Sequence, residues 1–284
     1  MKFPIYNFKF TNKLEKRELS LRFKRIGYYF KLWLFMSKNA FMVYILDRFS
    51  LLIFLFGKII RFIMFFLFLY FLVRGTDSLA GYSINQTLFF FLTFNLVDII
   101  SQFLFREVYR FRSLIVSGGF DLVLTKPMSA LFRSLLGGAD LIDLVTIPPL
   151  LIALFYVGSL LDPTLINIGF FIILVLNGLL IATAFHIAVL ALGIITLEID
   201  HTIMIYRDLT SLGRLPVDIY KEPIRSALTF LIPIGIMITL PAKTFFGMVN
   251  YQGVLLSFFA AALLMFGSLK FWYFALKRYS SASS

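Results

Sequence analysis

A run of 32 residues from Ile166 to Leu197 contains no Asp, Glu, Lys or Arg. In a lipid core every backbone N–H and C=O must be satisfied inside the segment, which a helix does and an isolated strand does not. At about 1.5 Å per residue, roughly 20 helical residues cross a hydrocarbon core of about 30 Å, so this run is one long span or a span running into another. Runs of similar character occupy Ser50 to Val73, Ile84 to Phe105, Leu141 to Leu160 and Val254 to Leu276. A chain that is 60% hydrophobic with 36 Phe and a mean hydropathy of +0.90 is no soluble domain; it is a polytopic membrane protein. The net charge of +12 sits in segments flanking the apolar runs, so it reads as a topology and headgroup signal and does not imply nucleic acid. With no cysteine, disulfides and thiolate metal sites are excluded.

Between the second and third runs lies REVYRFRSLIVSGGFDLVLTKPMSALFRSLLGGADLID, residues 106 to 143, with five Arg or Lys, a Gly-Gly pair and a Lys-Pro. It must sit in water, and its basic excess places it in the cytoplasm. Gly118 and Gly119 allow a tight turn, while Pro127 favours an extended residue before it and a helix after it. The segment therefore presents short helices on either side of a rigid corner. Its apolar residues Ile115, Val116, Phe120 and Leu122 suit docking to a soluble partner, since apolar side chains in such a loop should be buried somewhere.

Residues 1 to 48 hold eleven Lys or Arg against three acids, with Phe23, Ile26, Phe30, Trp33 and Phe41 partly at helical spacing. This pattern predicts a basic amphipathic helix along the cytoplasmic membrane surface. No short apolar core with a small-residue cleavage site occurs in it, so insertion is expected to use the first span. After the outer turn RGTDSLAGYS comes the second span; Pro148-Pro149 should kink the third unless the pair lies in its first turns. Residues 198 to 225 leave two topologies open. Either they are cytoplasmic and 226 to 246 is the fifth span, or 198 to 213 is a polar fifth span and a proline-broken block, 216 to 247, lies on the outer side. Both give six spans, and Lys277-Arg278 holds the C-terminus inside.

No phosphate-cradling GxxxxGK[ST] string occurs, so any ATP would be hydrolysed by another chain. His186 and His201 lack metal-ligand spacing and suit helix-packing hydrogen bonds. Asp140 and Asp143 suit a helix start at the membrane surface. Charged and amide side chains inside spans are the stronger clue, because they are rare there and face the bundle interior. Asn95, Asp98 and Gln102 share one face of the second span, as interhelical hydrogen bonders or as the lining of a path. Lys58 and Arg61 interrupt the first span. In a hairpin around residues 74 to 83, Lys58 and Asp98 fall at matching depth, which predicts that they pair and that Arg61 adds a second donor or faces an anionic substrate group.

The stretches GYSINQTLFFF, FRSLIVSGGFDLVLTKPMSALF and RLPVDIYKEPIRSALTFLIPIGIMITLPAKTFFG resemble the membrane subunits of ABC-2-type ABC exporters, over roughly residues 25 to 278. The most specific piece is Gly119 to Pro127. The resemblance implies an all-α membrane protein with six spans: an interfacial elbow helix within 1–48, a transmembrane domain over 49–278 and a cytoplasmic tail, 279–284. It implies a coupling segment, 106–140, in which Ile115, Val116, Gly118, Gly119, Phe120, Asp121, Leu122, Lys126 and Pro127 meet an ATPase, and a re-entrant outer block, 216–247, which favours 198–213 as the fifth span. It implies no catalysis, metal or cofactor in this chain, with ATP and Mg bound by two cytoplasmic ATPase subunits, and a second permease subunit, identical or homologous, in the plasma (inner) membrane. The substrate would be amphiphilic: a drug, lipid, peptide or glycan. A membrane enzyme of lipid metabolism and a non-transporting scaffold are the competing classes, the former disfavoured because the polar residues assemble no acid, base or metal cluster.

Overall fold

The computed structural model describes residues 8–280 except Asp77, Glu198 and Val249, with side chains from Arg25 onward; Phe23 of the N-terminal face lies outside the described side chains. Every regular element is helical: α1 (Phe8–Leu46), α2 (Arg48–Thr76), α3 (Ile84–Phe105), α4 (Phe111–Val116), α5 (Gly119–Leu124), α6 (Ala130–Leu136), α7 (Leu141–Ser159), α8 (Leu165–Thr196) and α9 (Ile199–Ser211). They are followed by α10 (Ile224–Leu231), α11 (Gly235–Phe245) and α12 (Tyr251–Lys277). Among the described residues five helices are long and apolar enough to cross a membrane, and six if α10 and α11, bent by 76° at their break, count as one span.

Local sequence sets the starts. Ser83 and Gln86 form a reciprocal capping box on α3, and Asp140, Thr164 and Asn250 accept from first-turn N–H groups of α7, α8 and α12. α7 continues as one helix through Pro148 and Pro149. α3 is the buried centre of the bundle. Towards the turn before it, Phe89 stacks on Phe245 at 4.2 Å and Phe90 meets Phe246 edge-on at 5.2 Å. Towards the other end, Phe111, Phe120, Leu190 and Trp272 form a second buried cluster. α12 packs along α8, where the Asn177 amide donates to Ser257 O at 3.0 Å. Gly178 lets the α11 backbone lie against α8, since a Cβ there would stand 2.7 Å from Met237 O. α2 is different: only Leu69 and Val73 are buried, Phe62, Phe65, Phe66 and Tyr70 are partly covered by the core, and most of the rest of the helix is exposed.

Two regions bear on the open topology. α9 has 13 residues, about 20 Å, and carries Asp200, Arg207 and Asp208, which is why it falls outside the apolar helices of crossing length. It begins beside the 106–140 segment, where Asp200 meets Arg112 at 3.4 Å, and the chain leaving it brings Arg214 against Phe65 and Phe94 of α2 and α3. Beyond it, Asp218 accepts from Tyr82 at 2.8 Å, Arg225 at 2.7 Å and Lys243 at 2.6 Å. Tyr82 belongs to the turn between α2 and α3, so the 216–247 block is tied to that end of the bundle.

The Asp218 cluster gives a pH signature. Burial pushes its carboxyl up, but the hydrogen bonds from Lys243 and Tyr82, with the charges of Lys243 and Arg225, outweigh burial and hold it below its ordinary value. A carboxyl depressed by folding stabilises above its unfolded pKa of about 3.9, and that contribution is lost as pH falls through the lower folded value. Asp218→Asn should therefore lower the melting temperature at pH 7, by the equivalent of about 1–3 kcal/mol for a half-buried charged hydrogen-bond hub. The gap to wild type should close as pH falls below about 4. A gap that persists unchanged to pH 3 would show that the carboxylate charge is not what holds the cluster.

Candidate functional site

The 106–140 segment folds as three short helices beneath the bundle. A tight helical turn, Arg106–Arg110, carries the chain out of α3; α4 and α5 then meet at Gly118, whose φ of +72° is the left-handed conformation that glycine adopts at little cost. The return leg is fixed by Arg133, which donates to Glu107 at 2.6 Å. α1 braces it from outside: Tyr29 packs on Phe132 at 4.7 Å, and Ser37 Oγ accepts from Ala139 N–H at 3.2 Å.

Of the apolar residues expected to dock a partner, two face the other way. Phe120 is 0% exposed, packed edge-on against Phe111 at 5.1 Å and Tyr279 at 5.1 Å and facing Trp272, and Ile115 is buried beside it. They anchor the corner to α12. The outward apolar edge is Val116, Leu122 and Leu124, respectively 59%, 65% and 43% exposed. Lys126 and Pro127 are also exposed, while Gly118, Gly119 and Asp121 are partly covered.

Within the bundle, Lys58, Arg61, Asn95 and Asp98 surround one cavity of about 330 Å³. α2 contributes Lys58, Arg61, Phe62 and Phe65; α3 contributes Phe91, Phe94, Asn95 and Asp98; α7 contributes Thr146, Pro149 and Leu150; Arg214 closes it. Gln102 lies one turn on, in a smaller void of about 20 Å³ with Asp98, Tyr109, His186, Tyr206 and Arg207, room for about one water.

The predicted Lys58–Asp98 pair does not form. Lys58 pairs with Asp143 in the first turn of α7, and among the described residues no cation lies at ion-pair distance from Asp98, which accepts from Gln102 Nε2 at 2.7 Å. Matching depth in the α2–α3 hairpin was a sound constraint on height, but α7 begins at the same height and presents a carboxylate 3% exposed. Asp140, the N-cap of α7, is held by Arg106 at 3.0 Å and Tyr44 at 3.3 Å.

Nor, among the described residues, do Asn95, Gln102 or His186 bridge helices through a hydrogen bond. Asn95 donates to Phe91 O, His186 Nδ1 lies 2.8 Å from Ala182 O, and Gln102 meets Asp98, each within its own helix. Arg214, which sequence reading missed, sits over Phe65 at 5.4 Å and Phe94 at 5.7 Å, a cation–π clamp. Charged side chains within apolar helices of crossing length are costly and call for partners or a role.

A family model described as ABC-2 family transporter protein matches residues 59–283, nearly all of the chain from early α2 onward. The chain belongs to the ABC-2 transporter family. It is thus a multi-pass membrane protein and a permease of an ABC transporter, from a family whose subunits work with ABC ATPases. No curated protein and no solved structure matches it. Within this ABC-2 permease, the 106–140 corner carries an exposed apolar edge and the bundle a cavity lined by charged residues.

Proposed function

We propose that this ABC-2 permease exports an amphiphilic substrate across the plasma (inner) membrane, driven by ATP and Mg bound in two copies of a separate cytoplasmic ATPase subunit. A second permease subunit, identical or homologous, completes the assembly, with the largely uncovered α2 available to it. In this reading α1 contains the interfacial elbow, the α4–α5 corner is the coupling element, α9 is the fifth crossing, and α10–α11 form a broken re-entrant hairpin at the outer leaflet. Broken backbone is tolerated at membrane depth only when buried in protein, and the tie from Asp218 to Tyr82 supports that placement. Lys58, Arg61, Asn95, Asp98 and Gln102 then flank the translocation path.

The observation that carries the reading is the exposed apolar edge of the corner, Val116, Leu122 and Leu124, presented from a buried aromatic base. Exposed apolar residues on a rigid cytoplasmic element mark an interaction surface. ATP-driven closure of the ATPases would move the corner as a unit and shift the bundle between two states. Leu122→Glu should therefore weaken co-purification with the ATPase by about 2 kcal/mol, roughly 30-fold, as for an interface anchor. It should also abolish stimulation of ATP hydrolysis while the permease stays monodisperse. Undiminished binding and stimulation by Leu122→Glu would refute this docking surface.

A further inference from the structure

The charged cavity is built unlike the packed bundle around it. Its walls are largely aromatic and aliphatic, and its charged groups are the cations Lys58, Arg61 and Arg214 against the carboxylate Asp98. Lys58 is already matched by Asp143 outside the lining. Asp98 makes no ion pair with Arg61 or Arg214, and Arg207 lines the neighbouring void with the same carboxylate. Among the described residues the lining thus holds more cations than carboxylates, with Arg214 inside and Arg61 at the exposed rim both without an acid at ion-pair distance. Ionisable groups at membrane depth pair with one another or mark a ligand path, and these are not fully paired.

We propose that this cavity binds the anionic headgroup of an amphiphile, a phosphate, sulfate or carboxylate on an apolar tail. Arg214 lies over the rings of Phe65 and Phe94, which take up no N–H hydrogen bond, so its guanidinium donors can serve an anion. A planar fork of donors matches phosphate and carboxylate oxygens two at a time. Thr146 and Asn95 add hydrogen-bonding groups to the wall, and a volume of about 330 Å³ suits a headgroup with the start of its tail. Arg61, Ile59 and Ile63 are exposed on α2 at the rim, so the mouth opens beside the least covered helix and the tail leaves towards lipid. Asp98 is the anion that an incoming headgroup must compete with or displace. As a statement about transported substrate, this rests on the permease reading; as a binding site it does not.

The test uses the full chain in phosphatidylcholine nanodiscs with radiolabelled dodecyl phosphate as the probe and empty discs as the blank. The expected result is one saturable site per chain, competed neither by dodecylphosphocholine, whose headgroup is neutral overall, nor by inorganic phosphate, which lacks the tail. Arg61→Gln and Arg214→Gln should each weaken binding at least tenfold, whereas Arg74→Gln, an exposed cation away from the cavity, should change nothing. Asp98→Asn should strengthen binding severalfold, an increase that damage to the fold would not produce. Competition by phosphatidylglycerol placed in the discs would support the site and identify a bilayer lipid as its occupant. Equal competition by dodecylphosphocholine or inorganic phosphate, wild-type binding by both arginine variants, or weaker binding by Asp98→Asn would overturn the proposal. Retained ATPase stimulation alongside such a failure would leave the permease reading standing.

Discussion

Phe120→Glu should remove folded protein from the membrane, while Leu122→Glu, the same charge two residues away, should leave it at wild-type amounts. Phe120 is fully buried among Phe111, Trp272 and Tyr279, so the substitution strips an aromatic from the base of the corner and puts a carboxylate there. Removing a buried Phe costs about 3–5 kcal/mol from lost transfer energy and cavity formation, before any cost of burying a carboxylate. Against a typical stability of about 5–15 kcal/mol, that is a large share of the whole. Leu122 points outward, and its replacement touches only the docking edge. The measurement is the monodisperse fraction of detergent-solubilised protein by size-exclusion chromatography, with a fall of about tenfold or more expected for Phe120→Glu, the equivalent of about 1.4 kcal/mol at threshold. Phe120→Leu, which keeps apolar volume, should lie between. Wild-type yield of Phe120→Glu would show that the α5 base is not packed as described.

This contrast marks where sequence stopped being informative. The corner itself was legible: a Gly-Gly pair within an otherwise helical segment announces a turn, and Gly118 takes the left-handed conformation there. Which face of the corner is buried was not, because α4 and α5 have six residues each, fewer than the 11–18 or so that make a helical period readable. The covering surface comes from Trp272 and Tyr279, at the far end of the chain, and nothing in the local pattern names them.

The long apolar helices were legible for the opposite reason. A bilayer fixes their length, and residues such as Ser83, Gln86 and Asp140 carry their own capping signals. α9 resisted reading because its amphipathic charge looks cytoplasmic while its neighbours are helices of the bundle. The cavity was half legible. Its charges stood out in the spans, but Arg214 sits in a turn between a polar helix and a proline, where no periodicity relates it to Phe65 or Phe94.

Asp143→Asn should destabilise the protein more than Lys58→Met, and combining the two should restore much of the loss. The pair joins α2 to the first turn of α7, with the Lys58 side chain 17% and the Asp143 side chain 3% exposed. Breaking a buried pair by removing one partner costs about 3–5 kcal/mol, whereas replacing both by neutral groups is often near neutral, because the cost lies in the charge left behind. The two orphans are not equivalent. Asp143 left alone remains in the first turn of a helix, where the macrodipole favours an anion by up to about 2 kcal/mol. Lys58 left alone has no helix macrodipole to support it and no second carboxylate at ion-pair distance among the described residues. The losses, read as melting temperature in detergent, should therefore be unequal, with a coupling of about 1–3 kcal/mol between the sites. Asp98 supplies the control. Asp98 is bonded to Gln102 and makes no ion pair with Lys58, yet the two line one cavity, so Asp98→Asn combined with Lys58→Met should show a coupling clearly smaller than that between Lys58 and Asp143. Coupling of Lys58 to Asp98 in place of Asp143 would mean that the hairpin depth rule, and not the start of α7, sets the partner of this lysine.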